Sequence, residues 1–593
     1  MCGIAGCVLK NNCKQTCLNM LKCLEYRGYD SAGICTLQNG DFWLKKCVGG
    51  VQDLMNLVNQ NPGPSNCHVA ISHTRWATHG SVSAQNAHPH ISNNWAIVHN
   101  GIIENYQQLK NQYSIECKSQ TDSEVLAHLL DREGGFDIFS LIDACKKIDG
   151  SYAALCICKK NNKLFLAKNK SPLYVAQGGQ GVFVASDVVA FAQHAQNFYA
   201  LSDGEFAEIN DKTITFYNSS GNVIKKSTQK IAAICDEQKK LGFKHYMLKE
   251  IYEIPQKIKD IYSYYSSQNF QAFKFASQKQ IKKAKNIFLI GCGTAYHSAL
   301  VGGKFIQRST QKNVKVFLAS EFDWQQGRIS KNSVCIFVSQ SGETADTLLC
   351  ANKAKQFGCP TIAITNVLHS TLANMCDYSL SICAGTEIAV ASTKAYVCQI
   401  ILMQMLARAM KNNSPNSLAK FFQKRLQILS QNIKKDIAQN NGKCKQLAKN
   451  ILKYKKVIFI GKGMDYFTAQ EASLKYKEIT YIPSQAIPSG ELKHGSLAIV
   501  DSKTLVVQIA TSKKDIKKNQ NTAQEVIARG GVVISCSPWK ICGKTNLVLR
   551  KTKPCNYPIH SAVVFQLLAY HASVMLGNTP DKPRNLAKSV TVE

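Results

Sequence analysis

The pattern of apolar and polar residues divides the chain into two parts with different predicted architectures. Up to about residue 218, short apolar runs alternate with turns rich in Gly, Asn and Asp, which is typical of strands. The runs predicted as strands are IAGCVL, SAGICTL, HVAISHTRW, NWAIVHNG, SYAALCIC, KLFLAKN, GVFVASD and AEIN, and 123–132 is predicted to be helical. We therefore predict an α+β part in which antiparallel sheets stack with a few helices.

The second part of the chain contains an internal repeat. Residues 287–296 form an apolar run followed by Gly-x-Gly and a helical pattern, and residues 457–466 repeat that arrangement. Further predicted strands follow each copy, namely VKVFLAS, SVCIFVSQ and PTIAIT in the first and ITYIPSQ, TLVVQIA and GGVVISC in the second. Strands that alternate with helices predict a parallel sheet, so we expect two α/β doubly wound domains. A repeat of this length indicates a duplicated domain rather than a solenoid.

These patterns predict the boundaries of five segments. A lysine-rich linker with a predicted helix near 250–261 separates the two parts, and a polar helical stretch near 412–456 connects the two repeats. The predicted segments are 2–218 for the antiparallel part, 219–275 for the linker and connecting helix, 276–415 and 446–583 for the two α/β domains, and 584–593 for a C-terminal tail.

Composition narrows the class of protein. The net charge is +33, yet only ten of the 72 basic residues are arginine, and the lysines are spread along the chain. We therefore expect a solvated lysine surface and no nucleic-acid partner. No apolar run is long enough for a membrane span, and the 24 cysteines include no Cys-x-x-Cys pair. We expect a cytoplasmic protein with no membrane association and no metal site.

The start of the chain offers a candidate nucleophile. Removal of Met1 would make Cys2 the N-terminal residue, so that its own amine, with a pKa near 8, could activate its thiol. Taken alone, Cys2 is more simply one cysteine among many. Three polar stretches could contribute to the same site as Cys2. They follow predicted strands or precede a predicted helix, at 73–80, 99–101 and 121–124, and each alone is commonly a turn or a cap.

Together these stretches resemble the class-II glutamine amidotransferase domain in order and spacing. The resemblance implies that Cys2 attacks the glutamine carboxamide while Asn100 and the Gly101 N–H hold the oxyanion, and that Arg75 and Asp122 pair with the charged ends of glutamine. It also implies that Trp76 gates the passage of ammonia. The glutamine-binding residues expected on this basis are Arg75, Trp76, Thr78, His79 and Asp122, of which His79 is equally well explained as structural.

The first α/β repeat contains a predicted phosphate site. Three hydroxyl residues and a glycine lie within 339–344, after an apolar strand and at the start of a helix, where backbone N–H groups favour an anion. A simple helix cap is the alternative. A dinucleotide site at Gly291 and Gly293 is disfavoured because a third glycine and an acidic residue after the second strand are missing.

Both repeats resemble sugar isomerase (SIS) domains. That resemblance implies sugar-phosphate contacts by Cys292, Gly293, Thr294, Ser339, Gln340, Ser341, Thr344, Val390 and Ser392.

The second repeat resembles isomerising members of this group. The resemblance implies that Glu478 moves a proton between C1 and C2, with Lys475 holding charge nearby. It implies that His494 opens the sugar ring, reaching into a neighbouring subunit, and that Lys588 in the tail forms an imine with the ketose. Without the resemblance, Lys475 and Glu478 are an ordinary i, i+3 helix pair and His494 is a loop residue.

The resemblance covers nearly the whole chain and implies one overall reaction. Glutamine and fructose 6-phosphate would give glutamate and glucosamine 6-phosphate, and ammonia would pass between the two sites inside the protein. The resemblance also implies that the enzyme needs no cofactor and forms a homodimer. Ala295, Gln485 and Ser496 depart from the expected pattern and affect details of the pocket. Two alternative functions have different requirements. A phosphoribosyltransferase or ATP-dependent synthetase would need an acidic diphosphate loop or a P-loop, and neither is found. A sugar-phosphate sensor would not need Cys2 or the tail.

Overall fold

The computed structural model describes residues 2–210, 213–231, 240–322, 329–411, 414–541 and 545–590, and the side chains of 545 and 546 lie outside that description. The chain forms two compact units. The first contains residues 1–236 together with the tail residues 587–593, and the second contains residues 237–586. None of the described helices combines the length and the hydropathy needed to cross a bilayer.

The first unit is built from short strands and five helices within the residues described. Its strands are β1 Gly3–Leu9, β2 Ser31–Gln38, β3 Asp41–Val48, β4 Val69–Arg75, β5 His90–Ile91, β6 Trp95–Ile103, β7 Gly150–Cys158, β8 Leu164–Asn169, β9 Tyr174–Gly178, β10 Gly181–Ala185, β11 Asn197–Ala200, β12 Glu205–Ile209, β13 Ile214–Tyr217, β14 Val223–Ile224 and β15 Gln229–Lys230. Its helices are α1 Cys13–Cys23, α2 Val51–Gln60, α3 Tyr106–Tyr113, α4 Glu124–Glu133 and α5 Ile138–Lys146. Each of the eight predicted runs contains a strand, so the antiparallel prediction is confirmed.

These strands form two antiparallel sheets that stack face to face. The sheet orders are β15-β11-β9-β10-β1-β4-β2-β3 and β14-β13-β12-β8-β7-β6-β5. Side chains of both sheets, including Ile4, Ile71, Val98 and Leu155, share one buried cluster between them. A second cluster joins the eight-stranded sheet to α1 and α2, and a third joins the seven-stranded sheet to α4 and α5. The unit is therefore a four-layer αββα sandwich in which β1 is an interior strand.

Four of these helices, α1, α2, α3 and α5, were not predicted from the sequence. In α1 the buried positions are Cys13, Cys17, Leu18, Met20 and Leu21, which lie on one face at helical spacing. Two of them are cysteines, which behave here as small apolar residues and weaken the recognisable pattern. Helical amphipathicity built partly from cysteine is therefore harder to recognise than amphipathicity built from leucine.

The second unit contains two α/β domains joined by helices. Its strands are β16 Asn286–Gly291, β17 Asn313–Leu318, β18 Ser333–Ser339, β19 Thr361–Thr365, β20 Tyr378–Ser381, β21 Lys456–Gly461, β22 Ser484–Pro488, β23 Thr504–Ile509, β24 Val532–Ser537 and β25 Thr545–Val548. Its helices are α6 Tyr246–Ser267, α7 Lys279–Lys283, α8 Gly293–Thr310, α9 Ala345–Gln356, α10 Thr371–Met375, α11 Lys394–Lys411, α12 Pro415–Ile451, α13 Met464–Thr480, α14 Ile516–Ile527 and α15 Tyr557–Met575.

Both sheets of the second unit are parallel and share one topology. Their orders are β17-β16-β18-β19-β20 and β22-β21-β23-β24-β25, so each runs 2-1-3-4-5 in its own numbering. This confirms the predicted pair of doubly wound domains. Strands such as β18 are buried along their whole length, as expected for a parallel sheet covered on both faces. In this topology ligands bind where the strand order reverses, at the carboxyl ends of the first and third strands.

Parts of the prediction for the second repeat were wrong. The run ITYIPSQ is predicted as a strand, but Ile479 and Thr480 complete α13, and Tyr481 caps the helix with φ +62°. The strand β22 begins only at Ser484. The edge strands β20 and β25 were missed because each has four residues and few apolar ones. The predicted helices near 250–261 and 412–456 correspond to α6 and α12, and residues 412 and 413 of the second prediction lie outside the described residues.

Candidate active site

Cys2 lies immediately before the interior strand β1. The neighbouring strand β4 pairs with β1 in the register Gly3–Thr74 and leads directly into Trp76. The Trp76 backbone N–H donates to the Cys2 Sγ at 3.3 Å, and the thiol lies 3.5 Å from the Trp76 carbonyl oxygen. Burial raises the pKa of the Cys2 thiol, while the Trp76 N–H and the charge of Arg75 act in the opposite direction. The thiol is thus half-buried and held by the end of β4.

Asn100 and Gly101 lie beside Cys2 on β6. The Asn100 side-chain Nδ2 donates to the Cys2 carbonyl oxygen at 3.0 Å, and its Oδ1 lies 3.1 Å from His73 Nε2. Gly101 has φ +137°, and a Cβ there would lie 1.9 Å from the Ser151 carbonyl oxygen. Only glycine fits this position, which fixes the course of the backbone at the predicted oxyanion donor.

The predicted clamp for glutamine consists of one buried cation and one buried anion. The Arg75 guanidinium donates to the carbonyl oxygens of residues 79, 80 and 81, with Nη1 3.3 Å from that of Ser81. Asp122 Oδ2 accepts from the Ile103 N–H at 2.7 Å. Burial lowers the pKa of Arg75, whereas the negative charges of Asp30 and Asp122 counter that effect. A zwitterionic amino acid needs such a pair of opposite charges.

Three further predicted residues occupy less buried positions. Trp76 and His79 are half-buried, and Thr78 is exposed. His79 Nδ1 lies 3.4 Å from Thr78 Oγ1, and its ring contacts Tyr106 edge-on at 5.9 Å between centroids. Neither contact involves Cys2 or Asp122, so the roles of these three side chains stay predictions.

A cluster of buried histidines lies next to Asn100 and was not assigned any role from the sequence. His73 stacks on His88 at 4.1 Å, and burial lowers the pKa of His73 to about 3. Its Nε2 faces two oxygens, those of the His99 carbonyl and the Asn100 amide, each at 3.1 Å. A neutral ring that donates from Nε2 fixes which way the Asn100 amide points. His73 is the first residue of the motif at 73–80, and this place in the motif was the sequence signal for a role in positioning Asn100.

In the second unit, the predicted phosphate site follows β18. Ser339 Oγ lies 3.0 Å from Thr344 Oγ1 and accepts from the Gly342 N–H at 3.0 Å. Ser341 Oγ accepts from the Glu343 N–H at 3.2 Å. Gln340 lies between them, with its carbonyl oxygen accepting from Asn366. The hydroxyl groups therefore stand in a tight loop before α9, at the strand end where the topology places ligands.

The other predicted sugar-phosphate residues lie at the starts of two helices. Cys292 precedes α8, and Gly293 has φ +52° with open space around its α-carbon. The Val390 N–H donates to the Asp581 carbonyl oxygen at 3.0 Å, and Ser392 Oγ donates to Glu387 at 3.0 Å just before α11.

Lys475 and Glu478 belong to a larger buried network. Lys475 Nζ lies 2.6 Å from Glu478 and 3.7 Å from Glu471. Glu471 also accepts from Thr294 Oγ1 at 3.1 Å and contacts His297 Nδ1 at 2.8 Å. Burial raises the pKa of Glu478, and Lys475 opposes that shift. Burial acts to lower the pKa of Lys475, but Glu478 and Glu471 outweigh it and the pKa is raised. The network joins α8 of one repeat to α13 of the other.

Sequence reasoning missed Glu471 and His297. Glu471 lies one helical turn before Lys475, so the i, i+4 spacing on α13 was a usable signal. His297 is far from Glu471 in sequence, and their contact depends on how the two repeats pack.

The structure does not place the two remaining predicted residues in this network. His494 ends the short helix at Glu491–Lys493, and its side chain is exposed. Lys588 is half-buried in the tail that belongs to the first unit.

Comparisons with known proteins agree with the two-part architecture. The SIS domain family matches residues 280–409 and 450–576, and the glutamine amidotransferase domain family matches 73–193. Glutamine–fructose-6-phosphate aminotransferases [isomerizing] from Clostridium acetobutylicum and Caldanaerobacter subterraneus are 38% and 39% identical over 612 and 616 residues, covering all of both chains. The relative of the same name from Bacillus subtilis is 37% identical. The chain belongs to the glutamine–fructose-6-phosphate aminotransferase [isomerizing] family.

Solved structures resemble the second unit. The C-terminal domain of glucosamine-fructose-6-phosphate aminotransferase from Francisella tularensis is 30% identical, with a TM-score of 0.53, over 58% of this chain and 99% of that one. Tagatose-6-phosphate ketose/aldose isomerase from Escherichia coli is 16% identical with a TM-score of 0.50, over 58% and 96% respectively, and shares the fold.

One group of side chains has the composition of a metal site. The ligand atoms of Cys117, Glu124 and His128 lie within 4.8 Å of one another. The Glu124 carboxylate, however, already accepts the backbone N–H groups of Lys118 at 2.9 Å and Ser119 at 2.6 Å. This local hydrogen bonding accounts for its buried position at the start of α4.

Proposed function

We propose that this protein converts D-fructose 6-phosphate and L-glutamine to D-glucosamine 6-phosphate and L-glutamate, the first step of amino-sugar synthesis. The observation that carries the proposal is the pairing of two sites in one chain. One unit holds Cys2 next to Asn100 and Gly101. The other holds the buried Lys475–Glu478 pair in a pair of SIS domains.

The first half-reaction releases ammonia from glutamine. After removal of Met1, the free amine of Cys2 takes the thiol proton, and Sγ attacks the side-chain carbonyl carbon. Asn100 Nδ2 and the Gly101 N–H stabilise the resulting oxyanion, and Arg75 and Asp122 hold the two charged ends of the amino acid. Collapse of the intermediate breaks the C–N bond and leaves a thioester, which water hydrolyses to glutamate.

The second half-reaction places that nitrogen on the sugar. The hydroxyls of 339–344, together with Thr294 and Ser392, bind the phosphate and sugar, and His494 assists ring opening. The amine of Lys588 forms an imine with the C2 carbonyl and expels water, and ammonia then displaces the lysine amine and leaves an imine at C2. Glu478 removes a proton from C1 and returns it to C2, with Lys475 balancing its charge. The thiol, the amine and these acid–base groups supply the chemistry without a cofactor.

We further propose that ammonia passes from Cys2 to the sugar site inside the protein, with Trp76 as the gate. A homodimer is proposed as the working form, because His494 is exposed in its own chain and available to a neighbouring subunit. The cytoplasm is the proposed compartment, since the cysteines that the structure describes are free thiols.

The test uses glutamine labelled with ¹⁵N in the side-chain amide. Incubation with fructose 6-phosphate should give ¹⁵N-glucosamine 6-phosphate by mass spectrometry, even when unlabelled ammonium is present in excess. Release of glutamate and ¹⁵N-labelled ammonia without any labelled amino sugar would refute the synthase proposal. Labelled product diluted in proportion to the added ammonium would refute internal transfer alone. Size measurement by light scattering tests the dimer separately.

A further inference from the structure

A cavity of about 360 Å³ lies in the second unit, away from the sugar-phosphate residues. It opens where α8 and α11 end beside the first half of α12, and 552–556 closes one side. Gln404 holds that side in place by donating to the Cys555 carbonyl oxygen at 2.9 Å. Thr294 lies in the first turn of α8 and Arg308 in its last turn, so the two sites are about 21 Å apart along the helix.

The lining of this cavity is strongly basic. Five cationic side chains line it, and no Asp or Glu does among the residues that the structure describes; the five are Arg308, Arg408, Lys411, Arg425 and Lys553. Three of them are arginines in a chain with only ten arginines against sixty-two lysines. Arginine presents a planar fork that matches phosphate oxygens in a bidentate way, which lysine does not. Convergence of the rarer cation therefore points to an anionic ligand with phosphate geometry.

The cavity also has an aromatic and aliphatic wall. The guanidinium of Arg425 lies 3.7 Å from the centroid of the Phe421 ring, and that of Arg408 lies 4.4 Å from it. Stacking on the ring holds the Arg425 fork flat and leaves its edge N–H groups facing the cavity that it lines. Phe305, Phe422, Leu426 and Leu429 complete the apolar lining. A ligand that fills this cavity needs an apolar ring as well as a negative charge.

Ordinary helix capping explains only part of this arrangement. Arg308, Arg408 and Lys411 lie in the last turns of α8 and α11, where cations complement the helix dipole. Arg425 lies in the interior of α12, and Lys553 lies in the segment before α15. Neither of these two has a helix C-terminus to complement.

We propose that this cavity is a binding site for a nucleoside phosphate. The phosphate is held by the arginine forks, and the base or ribose packs on Phe421 and the neighbouring apolar side chains. The volume supports this class of ligand, because it lies within the range typical of small-molecule pockets and is too large for one phosphate group.

The test is calorimetric titration of the full-length chain with ADP, UDP, pyrophosphate and adenosine. Saturating fructose 6-phosphate is included, so that the loop at 339–344 is occupied. At least one nucleotide should bind about tenfold or more tightly than adenosine and pyrophosphate, because each of these lacks one half of the recognised chemistry. Arg425→Gln should weaken nucleotide binding about tenfold or more by removing a charged bidentate contact.

Lys435→Gln is the matched control, since Lys435 is exposed on the same helix and does not line the cavity. If Arg425→Gln does not fold, as judged by thermal denaturation, Arg308→Gln carries the same expectation from an exposed side chain. The proposal is overturned if no nucleotide binds at millimolar concentration. Equal weakening by Arg425→Gln and Lys435→Gln also overturns it, because the attraction then comes from the net charge of the whole chain.

Discussion

At the scale of single residues, the amidotransferase site depends on a backbone position that accepts only glycine. Gly101 combines φ +137° with a backbone carbonyl oxygen 1.9 Å from where a Cβ would stand. Gly134 also has a positive φ, +74°, but its Cβ would meet nothing within 4 Å. Substituting alanine at each of the two glycines therefore distinguishes the cost of backbone strain alone from the cost of strain combined with a steric clash.

We predict that Gly101→Ala lowers kcat/KM for glutamine hydrolysis by about 100-fold or more, because the shifted backbone misplaces the oxyanion donor. Gly134→Ala should lose only about 1 kcal/mol of stability and keep its activity. Glutamate release and thermal denaturation measure the two effects. Glutaminase activity of Gly101→Ala within tenfold of the unmodified chain would rule out Gly101 as an oxyanion donor.

A second residue-scale prediction concerns the buried pair Lys475 and Glu478. Burial already raises the pKa of Glu478, and the nearby ammonium opposes that shift. Lys475→Gln removes the opposition, so the pKa of Glu478 rises further. A base must be ionised to accept a proton, so the acidic limb of the isomerisation profile should move to higher pH.

Conversion of fructose 6-phosphate to glucose 6-phosphate across pH measures that limb. Lys477→Gln is the control, because Lys477 is exposed two residues away on the same helix and should leave the limb in place. An acidic limb that stays unmoved in Lys475→Gln would mean that another group is the base.

The residues of this site were predictable to different extents. The proximity of Cys2 to Asn100 was foreseeable only from the resemblance to the amidotransferase domain, because 98 residues separate the two in sequence. The link between His297 and Glu471 was not, because it joins α8 to α13 across two repeats and depends on their packing. Local motifs predict local geometry, whereas contacts between distant elements require the fold.

At the scale of elements, long apolar runs in the sequence correctly predicted the interior strands of both parallel sheets. The sequence was less informative where elements are short or where the apolar face is made of cysteine, as in β20 and α1. The strand assigned to ITYIPSQ was misplaced because Ile479 continues the buried face of α13. An isoleucine suits either element, and tertiary packing decided between them.

The packing of α8 against α11 gives an element-scale prediction. A Cβ at Gly302 would lie 2.1 Å from Met403 Sδ and 2.8 Å from Met403 Cβ. Gly302→Ala should therefore push the helices apart and cost about 1–3 kcal/mol. Since Thr294 and Ser392 stand at the starts of these helices, KM for fructose 6-phosphate should also rise.

Gly442→Ala provides the control, because Gly442 is exposed within α12 and a Cβ there meets nothing within 4 Å. This substitution should stabilise the protein by about 0.5–1 kcal/mol through the better helix propensity of alanine. Urea denaturation measures both variants. Equal or greater stability of Gly302→Ala would show that α8 and α11 do not need the close approach.

At the scale of the whole molecule, the two units have separate cores and separate chemistry. The sheets of the first unit bury one set of side chains, and the helices and parallel sheets of the second bury another. A substitution in the catalytic centre of one unit should therefore leave the fold of the other unchanged. Lys588 differs from the other proposed catalytic residues in this respect. It belongs to the first unit, whereas its proposed chemistry is on the sugar.

The last prediction is that Cys2→Ala and Lys588→Arg each lose a different activity and keep the other. Cys2→Ala should abolish glutaminase activity and retain conversion of fructose 6-phosphate to glucose 6-phosphate, because Glu478 and Lys475 are untouched. Lys588→Arg keeps the charge but cannot form an imine, so it should lose synthase activity and retain glutaminase. Borohydride reduction with fructose 6-phosphate should attach a hexitol phosphate to the Lys588 peptide in the Cys2→Ala chain. Wild-type rates of glucosamine 6-phosphate formation by Lys588→Arg would place the imine on another lysine.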